Sequence, residues 1–243
     1  MSGTLRPQDR ETTPPSVTWS WAEATALLVF AYVMGHLIRV LLLGGRTSPT
    51  ARVAERAVLE LVWIGVIAAW LRSRRIAFSV AFGRPARPWT EIRDAAVFGS
   101  ILYGVVALAV ALPVRWLLGL VSDHPVSVPE SLPTALDPLG WGLAVALVLL
   151  LAPVAEELLF RGILFAPVRS RFGLAAGIAG SALAFGFVHY LPGDPIETAV
   201  TVAAATAMGA GLAFQYERRG NLVAPLAAHV AFNALGLLII LRT

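Results

Sequence analysis

Two adjacent carboxylates, Glu156 and Glu157, lie with Arg161 inside a strongly apolar stretch, residues 152–162. An ionisable side chain in a membrane-embedded helix costs about 2.5–3.5 kcal/mol on insertion scales, so such a residue is a candidate for function by default. Helical spacing places Glu157 four residues before Arg161, where the two can pair on one face. Glu156 then points about 100° away from Glu157 and has no partner on its own helix. A carboxylate kept apart from its neighbour's ion pair in an apolar setting is suited to general acid–base work.

Three more polar side chains occur at helical positions in the last hundred residues. His189 ends an apolar segment in the pattern Phe185-x-x-x-His189, and His229 and Asn233 lie four residues apart on one predicted helix face. A single histidine or asparagine in a membrane helix is usually a satisfied interhelical contact, and the acid pair alone can be a charge cluster that snorkels to the interface. Their joint occurrence favours a site.

Together these residue types can hydrolyse a peptide bond. Glu156 with His189 can hold and deprotonate a water molecule, and His229 with Asn233 can donate hydrogen bonds to the developing oxyanion. Glu157 and Arg161 would brace the catalytic helix. Hydrolysis of this kind requires no cofactor.

A divalent metal is the alternative that the residue types leave open. Glu156, His189 and His229 carry the carboxylate oxygen and imidazole nitrogens that such ions bind. The two-histidine helix signature His-Glu-x-x-His is absent from the sequence. We therefore rank metal-free water activation above metal-dependent hydrolysis.

The composition indicates the setting of this site. The chain of 243 residues is 57% hydrophobic and only 14% charged, and its mean hydropathy is +0.74. These values predict an all-α, polytopic transmembrane bundle rather than a soluble domain. No cysteine is present, which excludes thiol catalysis and disulfides. The arginines form no basic stripe interleaved with aromatic residues, so we expect the lipid bilayer and not nucleic acid as a partner.

Hydropathy divides the chain into three parts. Residues 1–20 are polar and rich in proline and threonine, which predicts a disordered cytoplasmic tail. Residues 21–121 contain three predicted spans and a basic juxtamembrane segment, and residues 138–243 contain four more spans that form the predicted catalytic core. The predicted spans, about seven in all, are residues 21–43, 53–71, 94–120, a helix starting near 139, 174–189, 196–214 and 223–241.

Two further expectations concern the ends of these spans. Trp19 and Trp21 suit an interfacial aromatic belt. The second span opens with Glu55, Arg56 and Glu60, so its first turns should be interfacial or face the bundle.

Loop charge predicts the orientation. The arginine-bearing segments 72–93, 169–171 and 218–219 fall on one side of the membrane when the spans alternate, whereas the loops 122–137 and 191–195 carry no arginine. The positive-inside rule then predicts a multi-pass protein of the cell membrane with a cytoplasmic N-terminus and an external C-terminus.

The spacing around Gly173 indicates how the site assembles. Gly173 lies 17 residues after Glu156 and 16 residues before His189. If the fourth and fifth helices turn there as an antiparallel hairpin, Glu156 and His189 end at about the same height. His229 must then enter from the last helix.

Three ordered motifs, Glu156-Glu157-x-x-x-Arg161, Phe185-x-x-x-His189 and His229-x-x-x-Asn233, resemble those of the CPBP family of intramembrane proteases. This family includes CAAX-processing and bacteriocin-processing (Abi) members and the eukaryotic Ras-converting endopeptidase. The resemblance covers residues 140–241.

By that similarity Glu156 is the water-activating acid and His189 its partner, while His229 and Asn233 stabilise the oxyanion. Glu157, Arg161 and Phe185 match the supporting positions. The implied activity is endopeptidase cleavage of a membrane-associated peptide that can be lipidated.

Two other classes of function are compatible with a polar bundle of this kind. One is a non-catalytic membrane scaffold or bacteriocin-immunity-type protein. The other is a transporter that uses the polar groups as a proton relay. A transporter is expected to show repeat symmetry and broken helices in matching halves, and the sequence shows no internal repeat.

Overall fold

The computed structural model describes residues 14–15, 17–44, 48–120, 136–190 and 194–242, and within them the chain is all-α. This architecture confirms the predicted polytopic helical bundle. The described residues form eight helices, which are α1 (Trp21–Leu43), α2 (Pro49–Ser73), α3 (Phe78–Phe82), α4 (Pro88–Gly119), α5 (Pro138–Phe172), α6 (Leu174–Val188), α7 (Pro195–Arg219) and α8 (Val223–Ile240).

Five of the described helices, α1, α4, α5, α7 and α8, are long and apolar enough to cross a membrane. Helix α6 is apolar but has only 15 residues, and α2 has 25 residues but carries several charged side chains. The chain is thus a multi-pass membrane protein. The number of crossings, about seven, stays a prediction.

Parts of the predicted organisation lie outside the described residues. These are most of the tail 1–20, nearly all of the arginine-free loop 122–137, and the break at 191–193.

Helix α5 lies at the centre of the bundle. All nine residues of its segment Glu157–Phe165 are buried, whereas the neighbouring helices expose large apolar side chains such as Leu41, Leu108 and Phe187. Around it, α1 packs on α2, α4 on α8, and α6 on α7. The charged residues of α5 are therefore shielded by the other helices.

Helices α5 and α6 form the predicted antiparallel hairpin. Gly173 separates them with φ 90°, a conformation that L side chains rarely adopt. Along the hairpin, Ser181 Oγ donates to the Phe160 carbonyl at 3.1 Å. This register brings the last turn of α6 alongside Glu156.

Prolines inside the long helices widen the turns that precede them. Pro113 follows the π-helical turn Ala107–Ala111, and Pro153 follows the π-helical turn Leu147–Leu151. Proline has no N–H, and its ring clashes with the carbonyl four residues earlier, so the preceding turn relaxes to i→i+5 hydrogen bonds. In α5, for example, the Ala152 N–H bonds to Leu147 O.

Two side chains from elsewhere in the chain supply hydrogen bonds that the α5 prolines Pro153 and Pro167 remove. Within α5, Val148 O has no donor, because the Ala152 N–H bonds to Leu147 O and Pro153 has no N–H. Asn233 Nδ2 donates to Val148 O instead, at 2.9 Å. Ile163 O, four residues before Pro167, accepts from Trp19 Nε1 at 3.0 Å. Such replacement allows proline inside membrane helices.

The bond from Trp19 corrects one expectation. Trp19 is buried and holds the chain entering α1 against α5, so it does not belong to an interfacial belt, whereas Trp21 is 43% exposed as a belt residue would be.

The three arginine-bearing segments lie at one end of the bundle. Arg219 contacts Glu91 at 3.5 Å, and Arg169 pairs with Glu217 at 2.5 Å. The Trp21 ring meets Phe172 with 5.7 Å between ring centroids. This clustering agrees with the loop-charge argument, but the compartment that this end faces stays a prediction.

Candidate active site

Helix α5 supplies three buried charged side chains. Glu156, Glu157 and Arg161 are at most 2% exposed. The predicted pair forms, with Arg161 Nη1 donating to Glu157 Oε1 at 3.0 Å. The other terminal nitrogen of Arg161 donates to Gly209 O on α7 at 2.9 Å, which ties α5 to that helix.

Helix α8 places His229 between the two acids. Its Nδ1 lies 2.8 Å from Glu157 Oε1 and its Nε2 lies 3.6 Å from Glu156 Oε2. An ionised carboxylate can only accept, so the Nδ1–H of His229 donates to Glu157. The two acids do leave α5 in different directions, as predicted, yet they reach opposite nitrogens of one imidazole. Glu157 is thus tied to a candidate catalytic histidine as well as to Arg161.

Helix α6 ends at the other side of Glu156. The Nδ1–H of His189 donates to Phe185 O at 2.7 Å, since a carbonyl can only accept. Its Nε2 is therefore unprotonated in the neutral ring, and it lies 3.9 Å from Glu156 Oε1. The His189 side chain is 29% exposed, which makes it the open side of the group.

The Phe185 ring contacts Arg161 and both histidines of the site. It is fully buried, with the Arg161 guanidinium 4.6 Å from its ring centroid. The rings of His189 and His229 lie 4.7 and 5.8 Å from it, centroid to centroid. One aromatic side chain thus sets the spacing of the buried cation and both histidines.

Asn233 follows His229 by one turn on α8. Its Nδ2 donates to Val148 O, eight residues before Glu156 on α5. The structure brings Glu156, His189 and His229 together, whereas the described contact of Asn233 is its amide N–H bond to the α5 backbone.

Helix α2 contributes two residues to which the sequence assigned no role. Arg56 Nη2 donates to Glu156 Oε1 at 3.2 Å, and Arg56 Nε pairs with Glu60 Oε1 at 2.6 Å. Glu60 is fully buried. The first turns of this helix therefore face the bundle. The available signal was an Arg–Glu pair at i, i+4 within an apolar helix.

The positive charge of Arg56 beside Glu156 disfavours a divalent metal ion at this site. Among the described residues, no group of three histidine, aspartate or glutamate side chains is arranged to hold a metal ion. Arg56 already occupies Glu156 Oε1, where its positive charge repels a second cation. Glu156, His189 and His229 therefore fit a divalent metal poorly in this arrangement.

Comparison with known protein families identifies part of the chain. Residues 138–235 match the family model described as type II CAAX prenyl endopeptidase Rce1-like. No curated protein and no solved structure matches the chain. The matched segment contains every candidate residue of α5, α6 and α8, whereas Arg56 and Glu60 precede it. This match supports the assignment of residues 138–235 to the Rce1-like family of CAAX prenyl endopeptidases.

Proposed function

We propose that this protein is an intramembrane endopeptidase that cleaves a membrane-associated, prenylated peptide with water activated by Glu156 and His189. The observation that carries the proposal is the meeting of Glu156, His189 and His229 from three helices, with nitrogen–oxygen separations of 3.6 and 3.9 Å. The family assignment supports a protease that acts at the membrane.

The gap between Glu156 and His189 suits a water molecule. Glu156 Oε1 and His189 Nε2 are 3.9 Å apart, too far for a direct hydrogen bond. A water oxygen about 2.8 Å from both atoms can bridge them. It would donate one hydrogen to each, because the carboxylate accepts and the Nε2 of this tautomer is unprotonated.

Hydrolysis then proceeds by general base catalysis. Glu156 accepts a proton as the water oxygen attacks the peptide carbonyl carbon, and the carbonyl oxygen becomes an oxyanion. When the C–N bond of the tetrahedral intermediate breaks, the proton passes from Glu156 to the leaving nitrogen. The products are a new carboxyl terminus and a free amine, and the protein returns to its starting protonation state.

Two donors on α8 can stabilise the oxyanion. In this proposal His229 starts as an imidazolium, which donates from Nδ1 to Glu157 and from Nε2 to the oxyanion and keeps both protons throughout the reaction. Asn233 has a second N–H besides the one that bonds Val148 O. Donors fixed before the reaction stabilise charge as it develops without reorganising.

A farnesylated peptide with a C-terminal CAAX sequence, incorporated into liposomes with the purified protein, tests the proposal. Glu156→Gln should reduce cleavage by roughly 10²–10⁴-fold, the usual contribution of a general base. The matched control is Glu217→Gln. It alters a carboxylate on α7 that pairs with Arg169 of α5, and it should leave cleavage near wild type. Retained cleavage by folded Glu156→Gln would exclude Glu156 as the base.

The histidines provide a second pair of variants. His189→Ala should reduce turnover, whereas His36→Ala, on α1, should not. The His36 ring packs against the Tyr32 ring in a tilted arrangement, with 4.3 Å between the centroids. A non-catalytic scaffold would keep its biological effect after Glu156→Gln and His189→Ala alike.

Chelation separates the two hydrolytic mechanisms. We propose that no metal takes part, so cleavage should persist after incubation with EDTA and dialysis. Loss of cleavage that zinc restores would support metal-dependent hydrolysis instead.

The orientation can be tested by labelling, since the chain has no cysteine. We propose that the arginine-rich end faces the cytoplasm, as the positive-inside rule predicts. Ser73→Cys, exposed at the end of α2, should resist an impermeant maleimide in intact cells and react after permeabilisation. Labelling in intact cells would reverse the assignment.

A further inference from the structure

We propose that Arg56, held in place by Glu60, is a positioning residue that orients the Glu156 carboxylate for water activation. The inference rests on the proposed function, because it assigns a role relative to the catalytic base. Both residues belong to α2 and lie outside the family-matched segment.

The Arg56 guanidinium is held at two points. Its Nε pairs with Glu60 Oε1 at 2.6 Å, and its Nη2 donates to Glu156 Oε1 at 3.2 Å. The guanidinium is planar and rigid, so an ion pair that holds Nε near Glu60 Oε1 also limits where the terminal nitrogen can lie. Glu60 thus sets the position of the cation, and the cation contacts Glu156.

Glu156 requires such a partner because no residue of α5 pairs with it. Its Oε2 faces His229 and its Oε1 faces both Arg56 and His189. A carboxylate rotates about its terminal C–C bond with little resistance. The contact from Arg56 limits that rotation and keeps Oε1 directed at the His189 side, where the water molecule is proposed to bind.

The charges around Glu156 make its contact with Arg56 important for the balance of buried charge. Besides Arg56, the groups that face it are the two histidines, and the nearby buried ions are Glu60, Glu157 and Arg161. Three carboxylates thus share two guanidinium groups. Removing Arg56 would leave Glu60 and Glu156 without an arginine partner, which is unfavourable in a low-dielectric interior.

Arg56 could instead be thought to bind the terminal carboxylate of the substrate. The distance between that carboxylate and the cleaved bond argues against this role. In a CAAX peptide that carboxylate lies three residues beyond the cleaved bond, or about 10 Å in an extended chain. Arg56 is within 3.2 Å of the proposed base, so it lies next to the reacting atoms. It is therefore placed to act on Glu156 rather than on the end of the substrate.

Steady-state cleavage of the farnesylated CAAX peptide in liposomes tests the inference. Arg56→Gln should lower kcat roughly tenfold to a hundredfold, since misplacing a reacting group by about 1 Å can cost about a hundredfold, with KM nearly unchanged. Arg56→Lys should retain more activity, since it keeps the charge. The matched control is Arg39→Gln, which breaks the α1–α2 pair with Glu55 at 3.1 Å and should leave kcat near wild type.

Two measurements distinguish positioning from a merely structural role. Glu60→Gln should lower kcat by itself but add little in the Arg56→Gln background, because Glu60 acts through Arg56. Methylguanidinium should restore part of the kcat of Arg56→Ala in a saturable manner. Access is available, since the Arg56 side chain is 34% exposed.

The outcomes separate this inference from the proposed function. If Glu156→Gln abolishes cleavage but folded Arg56→Gln keeps wild-type kcat, the positioning role is wrong and the hydrolase stands. Additive effects of Glu60→Gln and Arg56→Gln, or a loss that methylguanidinium does not restore, would also overturn it. Full activity of Glu156→Gln would instead remove the proposed function itself.

Discussion

The side-chain amide of Asn233 donates to the backbone carbonyl of Val148 at 2.9 Å, and so supplies a hydrogen bond that Pro153 prevents within α5. Asn233 therefore links α8 to the helix that carries Glu156. Its motif position implies oxyanion stabilisation as well, and that proposed role would use the other N–H of the same amide.

Asn233→Ala should destabilise the protein by about 1–3 kcal/mol, the cost of a buried carbonyl left without a donor. In a Pro153→Ala background the turn can return to regular α-helical bonding, which gives Val148 O a donor from its own helix. The loss of stability from Asn233→Ala should then shrink. Unfolding in detergent of the wild type, the two single variants and the double variant measures this difference. An equal loss of stability from Asn233→Ala in both backgrounds would contradict this account.

Trp19→Phe should lower stability by a similar amount, about 1–3 kcal/mol, because it removes the Nε1 donor to Ile163 O. Trp21→Phe is the matched control, since Trp21 is 43% exposed and should tolerate the change. Thermal unfolding followed by circular dichroism compares the two. Equal midpoints for both variants would show that the bond to Ile163 contributes nothing measurable.

Arg161→Met should cost roughly 3–5 kcal/mol, because it leaves Glu157 as a buried charge without its cation. Adding Glu157→Gln should recover part of this loss, since the double variant buries no unpaired charge at that position. Equilibrium unfolding in mixed micelles gives the coupling between the two sites. If the double variant is less stable than Arg161→Met alone, the ion pair is not the source of the loss.

Relationships within one helix or one hairpin could be predicted from the sequence. The pairing of Glu157 with Arg161 follows from helical spacing alone. The meeting of Glu156 and His189 follows from nearly equal counts on either side of Gly173, 17 and 16 residues. Both depend on geometry that is local in the chain.

Relationships between distant helices could not be predicted in this way. Arg56 contacts Glu156 across 100 positions of sequence, and periodicity shows only that a charged face exists, not which helix it meets. The prolines are visible in the sequence as breaks in helical bonding, but the identity of the replacing donors, Trp19 and Asn233, depends on packing.

The close approach of α6 to α7 near Gly186 offers a test of how His189 is held. A Cβ at position 186 would overlap Thr206 Oγ1 and lie 3.0 Å from the backbone oxygen of Val202. Thr206 can rotate, but the α7 backbone cannot, so Gly186→Ala should push α6 outward at a cost of about 1–3 kcal/mol. Because His189 follows three residues later, we expect kcat for the farnesylated CAAX peptide to fall as well.

Gly180→Ala is the control for this substitution. Its Cβ would meet only Val168 Cγ1 at 3.6 Å, an ordinary contact, so stability and kcat should stay near wild type or stability should rise slightly through better helix propensity. Cleavage rates and unfolding midpoints of the two variants, measured in parallel, decide the matter. If Gly186→Ala keeps wild-type kcat while its stability falls, the spacing of α6 and α7 supports the fold without fixing the position of His189.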